Sequence, residues 1–176
     1  MASSGLGRAV FSVYKPNFMG PSPRVEDSVE MQQHVVRILK SFERLTGRKL
    51  TEDPAKDWLK MHNDESIALL SVGFQEDPIL NYGNLGAQKL FEVNYEQLTT
   101  MPGRLTAGPM ERAERQEFLD RVARDGFVTD YSGIRTSASG RKFRIKDAHV
   151  WNVLEDDSEK TCGQAAFFNT NIEYVE

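Results

Sequence analysis

The segment from residue 77 to residue 91 most constrains the fold, because it carries the signals of a turn, a strand and a helix start in direct succession: Asp-Pro-Ile-Leu-Asn-Tyr-Gly-Asn-Leu-Gly-Ala-Gln-Lys-Leu-Phe. Asp77-Pro78 predicts a turn, since proline fixes φ and the aspartate side chain bonds to the local backbone. Residues 79–82 are mainly apolar and predict a short strand. Asn84 is a favoured N-cap residue, so we expect a short helix to begin directly after it.

An amphipathic helix is predicted upstream of this segment. Its apolar positions recur at the spacing of one helix face: Met31, Val35, Ile38, Phe42 and Leu45. Gly47 follows where a C-terminal cap belongs. This apolar stripe has two interpretations. It either packs on the sheet of its own chain or forms a homodimer in which the helix pairs two protomers, although the stripe is too short to establish a coiled coil.

The rest of the pattern predicts an α+β fold with helices on one face of an antiparallel sheet. Residues 67–74 are mainly apolar and predict a central strand, although a buried helix segment has the same pattern. A charged helix is predicted over residues 110–125 and ends at Gly126. Further elements are a short helix over residues 53–61 and strands over residues 127–136, 141–154 and 161–170.

Asp147 interrupts the alternation of the strand predicted over residues 141–154. Phe143 and Ile145 share one face there, as the two-residue period requires. A bulge or bend at Asp147 would let Trp151 and Val153 still point inward.

Composition excludes several classes of protein. The single cysteine, Cys162, rules out an internal disulfide framework, and with only three histidines a closed zinc site has almost no ligands. The net charge is −4, which argues against nonspecific nucleic-acid binding because phosphate contacts need clustered Lys and Arg. No apolar run approaches the ~20 residues of a membrane-spanning helix.

The first 25 residues differ from the remainder, since they contain basic residues but no acidic one. This composition fits a chloroplast or other organelle transit segment, and equally a disordered tail of a cytoplasmic protein. Residues 26–62 are predicted to form N-terminal helices, and residues 63–176 the core.

Several short motifs in the second half of the chain occur in a characteristic order: Gly126-Phe127, Gly133, Ser137, Gly140-Arg141, Ala148, Trp151, Val153-Leu154 and residues 163–167. They resemble the MEKHLA domain, a PAS-like module known from plant class III homeodomain-leucine-zipper proteins and from small stand-alone proteins. Residues 101–107 and 163–167 look like the stand-alone form. The Met-Glu-Lys-His-Leu-Ala string, the homeodomain and the zipper are absent, so the resemblance does not imply a transcription-factor role.

The resemblance implies a PAS-like five-stranded antiparallel sheet with short helices on one face, and a regulatory or sensor module that binds a small ligand or a partner protein. Such a module signals through its N-terminal helix. The candidate ligand-binding residues are Tyr82, Asn84, Arg104, Trp151 and Gln164. Trp151 can stack on a planar ligand, and Gln164 can bond a ligand's polar edge. The alternatives are a core indole and a strand amide bonded to neighbouring groups.

The sequence identifies no cofactor. A cysteinyl-flavin photosensor is disfavoured because the Asn-Cys-Arg-Phe string of such proteins is missing, and haem bound through His149 is disfavoured because a lone strand histidine is usually a packing residue. The arginines of the second half read mainly as ion-paired, with Arg104 as the best candidate for an anion site: Arg104, Arg112, Arg115, Arg135, Arg141 and Arg144.

No catalytic signature is present, since Gly-x-Ser-x-Gly, His-Glu-x-x-His and glycine-rich phosphate loops are all missing. We therefore expect a protein without enzymatic activity. One alternative is a ligand-free interaction or dimerisation module. A less favoured one is an enzyme on a related α+β cup fold, for which only His149 and Asp147 lie near each other in sequence.

Overall fold

The structure, a computed structural model, describes residues 28–108 and 111–176. The segment predicted as a tail or transit sequence, residues 1–25, lies outside the described residues, as does the first residue of the helix predicted over 110–125. The helices are α1 Val29–Thr46, α2 Pro54–Asn63, α3 Leu85–Phe91, α4 Tyr95–Leu98 and α5 Arg112–Asp125, with a 3-10 turn at Gly103–Thr106. The strands are β1 Ile67–Val72, β2 Leu80–Gly83, β3 Phe127–Thr136, β4 Lys142–Leu154, β5 Thr161–Asn169 and β6 Glu173–Val175.

The strands form one antiparallel sheet in the order β2-β1-β5-β4-β3, and β6 pairs with β4. The predicted five-stranded antiparallel sheet is therefore confirmed. The short strand β6 adds to it a pairing that the sequence pattern did not predict. Because β5 and β4 are central, each presents side chains to both faces of the sheet.

The helix ends carry capping residues, and the caps at Asn84 and Gly47 are those expected from the sequence. Ser28 accepts a hydrogen bond from the Met31 amide at the start of α1. Gly47 ends that helix in the left-handed region at a φ of 68°, where a residue without a side chain is favoured. Asp53 and Asn84 begin α2 and α3 in the same way as Ser28 begins α1.

The first face of the sheet is covered by α1 and α2. Val35, Ile38 and Phe42 of α1 are at most 1% exposed and pack against Trp151 and Leu69. This N-terminal pair covers the face opposite to the shorter helices. The apolar stripe of Met31, Val35, Ile38, Phe42 and Leu45 packs on its own sheet, with its two end residues half-buried. Its three central residues have no surface left with which to pair two protomers.

The second face is covered by α3, α4, the 3-10 turn and α5. Phe91 of α3 packs edge-on against Phe143, with ring centroids 5.3 Å apart. From α5, Phe118 and Val122 are the fully buried residues. The predicted short helices over one face of the sheet are confirmed by this layer.

A bulge in β4 decides which residues reach which face. Tyr131 pairs with Ala148, but two residues further along β3, Gly133 pairs with Ile145, so β4 contains one extra residue. The bulge contains Asp147, where the irregularity was predicted and where φ is 51°. The predicted bulge is confirmed, and Trp151 and Val153 point inward as predicted, but into the layer on the other face of the sheet. Phe143 and Ile145 share a face with Ala148, whereas Trp151 lies on the opposite one.

Candidate functional site

Trp151, a candidate ligand-stacking residue, is fully buried between the sheet and α1. Its Nε1–H donates to the Ile38 carbonyl oxygen at 3.1 Å, and its ring lies edge-on to Phe42 at 4.9 Å between centroids. Close by, the Leu154 amide donates to the Ser41 hydroxyl oxygen at 2.9 Å. Trp151 therefore joins α1 to the sheet, and its indole faces packed side chains.

Tyr82 lies in the same packed layer and is likewise fully buried. Its hydroxyl shares a hydrogen bond of 3.1 Å with Nδ1 of His62 from α2. Burial, with a smaller contribution from Tyr95, raises the pKa of Tyr82 well above its ordinary value, so the hydroxyl stays protonated. Tyr82 and Trp151 thus belong to the packed layer on the α1 side of the sheet.

Asn84 is a structural junction. Its Oδ1 accepts from the Leu69 amide at 2.9 Å and from the Ala87 amide at 3.0 Å. Its Nδ2 donates to the carbonyl oxygens of Met61, Asp64 and Ile67 at 3.1, 2.9 and 2.9 Å. Every hydrogen-bonding position of the amide is therefore occupied by the chain itself, and none remains for a ligand.

Arg104 lies at the surface, with its side chain about half exposed. Its Nε donates to Asp77 at 3.1 Å, and the pair is open to solvent. An exposed pair of this kind is a weak local contact, and the anion site at Arg104 stays a prediction.

Gln164, one of the predicted site residues, lines a cavity. This inner cavity has a volume of about 60 Å³ and lies between the sheet, the 3-10 turn and α5. The Gln164 Nε2 donates to the Leu119 carbonyl oxygen of α5 at 3.1 Å and to Asn152 at 3.3 Å. The walls of the inner cavity are mostly apolar and are formed by Leu70, Val72, Phe91, Thr106, Arg115, Phe118, Leu119, Tyr131, Arg135, Ile145, Val150, Gln164, Ala165, Ala166 and Phe168.

Two arginines, Arg115 of α5 and Arg135 of β3, also line the inner cavity. Arg135 is only 8% exposed, and its guanidinium donates to the Tyr131 hydroxyl at 2.9 Å and to the Ile134 carbonyl oxygen at 2.8 Å. The Tyr131 ring also lies beneath this guanidinium, 5.2 Å from centroid to Cζ. Gly133 makes room for the arrangement, because a Cβ there would lie 2.3 Å from the Tyr131 hydroxyl oxygen.

Arg115 differs from the arginines that form surface ion pairs. Burial, followed by the nearby charge of Arg135, lowers the pKa of its guanidinium to about 10. Among residues 28–108 and 111–176, no carboxylate lies within ion-pair distance of Arg115 or Arg135. Of the six arginines interpreted as mainly ion-paired, only Arg104 and Arg141 have a carboxylate partner among the described residues, so the interpretation fails for most of them, Arg115 and Arg135 included. Sequence offers no signal for this, since a missing partner is a property of the folded chain.

The inner cavity lies close to a larger surface groove between α5 and β3, of about 570 Å³. Phe118 and Tyr131 line both spaces, and their rings stack with centroids 3.8 Å apart. A single stacked pair therefore forms part of the wall between the inner cavity and the outer groove. Displacing it would open a route for a small molecule.

The lining of the inner cavity combines apolar surface with a few polar groups. These are two guanidinium groups, a phenol, an amide and the Thr106 hydroxyl, and the lining includes no His, Cys, Asp or Glu. Across the part of the chain that the structure describes, no group of three such residues is placed to hold a metal ion. None of the described helices is long and apolar enough to cross a membrane.

The buried histidines predict a pH-dependent stability. Burial lowers the pKa of His62, and burial together with the charge of Arg37 lowers the pKa of His34. In the unfolded chain both histidines take up a proton near the ordinary histidine pKa of ~6.5, whereas in the folded chain they do so only at lower pH. We expect the free energy of unfolding to fall as the pH drops from about 7.5 to about 5.5. Urea titrations at both pH values measure this, and a His62→Gln variant should show a smaller drop. An equal drop in that variant would exclude His62 as a source.

Comparison with known proteins agrees with this architecture. The MEKHLA domain matches residues 32–172, which is most of the chain. No curated protein sequence matches it significantly. Among solved structures, a PAS domain of a protein from Colwellia psychrerythraea has a TM-score of 0.53 at 16% identity, over 66% of this chain and 97% of its own.

Two light-oxygen-voltage proteins are also similar. The LOV protein of Rhodobacter sphaeroides has a TM-score of 0.50 at 13% identity and covers 66% of this chain and 68% of its own. An RNA-binding light-oxygen-voltage receptor has a TM-score of 0.52 at 13% identity, over 65% of this chain but only 32% of its own. These identities establish a common fold and nothing further. With the match over residues 32–172, they lead to one conclusion: the chain belongs to the MEKHLA domain family and has a PAS-like fold.

Proposed function

We propose that this protein is a regulatory sensor module that binds a small molecule in the inner cavity beneath α5 and has no catalytic activity of its own. The observation that carries the proposal is the cavity itself, with polar groups set into apolar walls between a sheet and one helix. Binding sites for small molecules combine apolar walls with a few polar groups in this way.

The anchoring of α5 supports the proposal. Only Phe118 and Val122 of this helix are fully buried, and most of its other positions are charged or exposed. Its N-cap residue Glu111 makes no side-chain capping bond. A helix held by so few buried groups is displaced at low cost, which lets the cavity accept molecules larger than its present volume.

The central strands give a route from the cavity to α1. Gln164 and Ala165 of β5 line the cavity, and Ala165 also belongs to the core under α1. The adjacent Trp151 pairs with Ala165 across the sheet and donates to the backbone of α1. A change in the position of β5 is thereby passed to α1. α1 keeps the signalling role expected for it, because it packs directly on the sheet.

The test is to fill the inner cavity. We expect at least one member of a panel of neutral and charged organic fragments to shift the amide resonances of α5 and β5 in the wild-type protein. An Ala166→Leu variant should lose this response, because Ala166 lines the cavity and the added side chain occupies it. The readout is the chemical-shift change in two-dimensional NMR spectra.

The matched control is Ala113→Leu, which adds the same side chain to an exposed position of α5. This variant should respond like the wild type. If no fragment bound, or if binding survived in Ala166→Leu, the ligand-binding proposal would be excluded. The interaction module with an inert core would then be preferred.

A further inference from the structure

The inner cavity contains two like charges that the described chain does not neutralise. Arg115 and Arg135 both line it, and neither takes part in an ion pair among residues 28–108 and 111–176. Arg135 is buried and Arg115 is half-buried, so both charges are partly removed from water, where a charge normally needs a partner and two charges of the same sign repel each other. This arrangement lowers stability unless something of the opposite sign occupies the space between them.

Donor groups remain available for such a guest. No side chain or carbonyl group in the described residues accepts a hydrogen bond from the Arg115 guanidinium, whereas Arg135 uses two of its nitrogens on Tyr131 and Ile134. The Tyr131 hydroxyl and the stacking ring fix Arg135 in place, so its position is set before a guest arrives. Preorganised guanidinium groups are the preferred partners of carboxylates, because the two forks match in geometry.

We propose that the inner cavity selects a compact organic carboxylate, with its anionic end on Arg115 and Arg135 and its apolar body against Val150, Ala166 and Phe168. This inference rests on the proposed function and names the class of ligand for it. The mostly apolar lining favours a monoanion with a hydrocarbon body over inorganic phosphate, whose oxygens need hydrogen-bond donors on all sides. A volume of about 60 Å³ has room for a guest of only a few heavy atoms.

Butyrate and its neutral counterpart butyramide are the probes that test this assignment, since they differ in charge and hardly in shape. At fixed ionic strength, we expect butyrate to shift the amide resonances of α5, β3 and β5 and to raise the melting temperature. Butyramide should bind at least about tenfold more weakly, because it lacks the charge that strengthens hydrogen bonds to guanidinium groups.

The variant that tests the same point is Arg115→Gln, with Arg124→Gln as its control. Both remove one positive charge from α5, but Arg124 lies outside the inner cavity in an exposed pair with Asp125. We expect Arg115→Gln to weaken butyrate binding about tenfold or more, and Arg124→Gln to leave it within about twofold. Without a ligand, Arg115→Gln should be at least as stable as the wild type, because it removes an unpaired charge.

Several outcomes would overturn the assignment. Equal binding of butyrate and butyramide would do so, as would an Arg115→Gln variant that binds butyrate normally or is markedly unstable. Tighter binding of inorganic phosphate than of butyrate would exclude the carboxylate class. In each case a neutral fragment that binds the wild-type protein but not Ala166→Leu would leave the proposed sensor function intact. Failure of every fragment would remove both proposals together.

Discussion

Replacing Asn84 with alanine is expected to lower the free energy of unfolding by about 4 kcal/mol, well beyond the ~1 kcal/mol of an ordinary N-cap. The reason is the number of buried groups that depend on this one amide. Asn84 is 0% exposed, and it caps α3 while it bonds the amide of Leu69 and three carbonyl oxygens between α2 and β1. Its removal leaves buried donors and acceptors without partners.

Asn94 provides the matched control for this measurement. It also begins a helix, α4, but it is solvent-accessible, and its side chain accepts only from the Gln97 amide. Asn94→Ala should therefore cost about 1 kcal/mol. Urea unfolding of both variants, followed by circular dichroism, gives the two values. Similar costs would show that the hydrogen bonds of Asn84 between α2, β1 and α3 contribute little.

Replacing Trp151 with alanine is expected to cost about 4 kcal/mol and to loosen α1 from the sheet. The substitution empties a fully buried site in the core and removes the bond to the Ile38 carbonyl oxygen. It also removes the edge-on contact with Phe42. Amide hydrogen exchange should consequently speed up along α1 more than along α5, which packs on the opposite face.

Trp151→Phe separates the two contributions of this residue. It keeps an aromatic ring beside Phe42 but loses the donor to Ile38, so we expect a smaller cost of about 1–2 kcal/mol. If Trp151→Ala instead left stability unchanged and abolished fragment binding, Trp151 would be a ligand-contacting residue after all. The packing role derived from its burial would then be wrong.

The helix ends and most strands could be predicted from the sequence because their signals are local. Gly47 and Asn84 act through neighbouring backbone groups, and the structure places caps at both. The resemblance to the MEKHLA family was carried by short motifs in fixed order, and the family match confirms it. The sheet order then follows from the PAS-like fold.

The candidate site could be predicted only in part, because its residues were grouped without knowing which face each one reaches. Tyr82 and Trp151 belong to the layer beneath α1, whereas Gln164 points to the layer beneath α5. The sequence did not predict that Arg115 and Arg135 lie in one cavity, because Arg115 belongs to α5 and Arg135 to β3. Only the tertiary structure shows that two cations line one cavity, with no ion-paired acid beside them among residues 28–108 and 111–176.

The bulge at Asp147 has a consequence for any attempt to align or redesign this chain. β4 behaves as two short strands laid end to end: before the irregularity its odd-numbered positions face α3 and α5, and after it the even-numbered ones do. Deleting a single residue at this point would keep the strand continuous. The side chains on one side of the deletion would, however, move from one face of the sheet to the other. The extra residue thus shifts the alternation of side chains along β4 by one position, so that odd-numbered residues contribute to one hydrophobic layer before it and to the other layer after it.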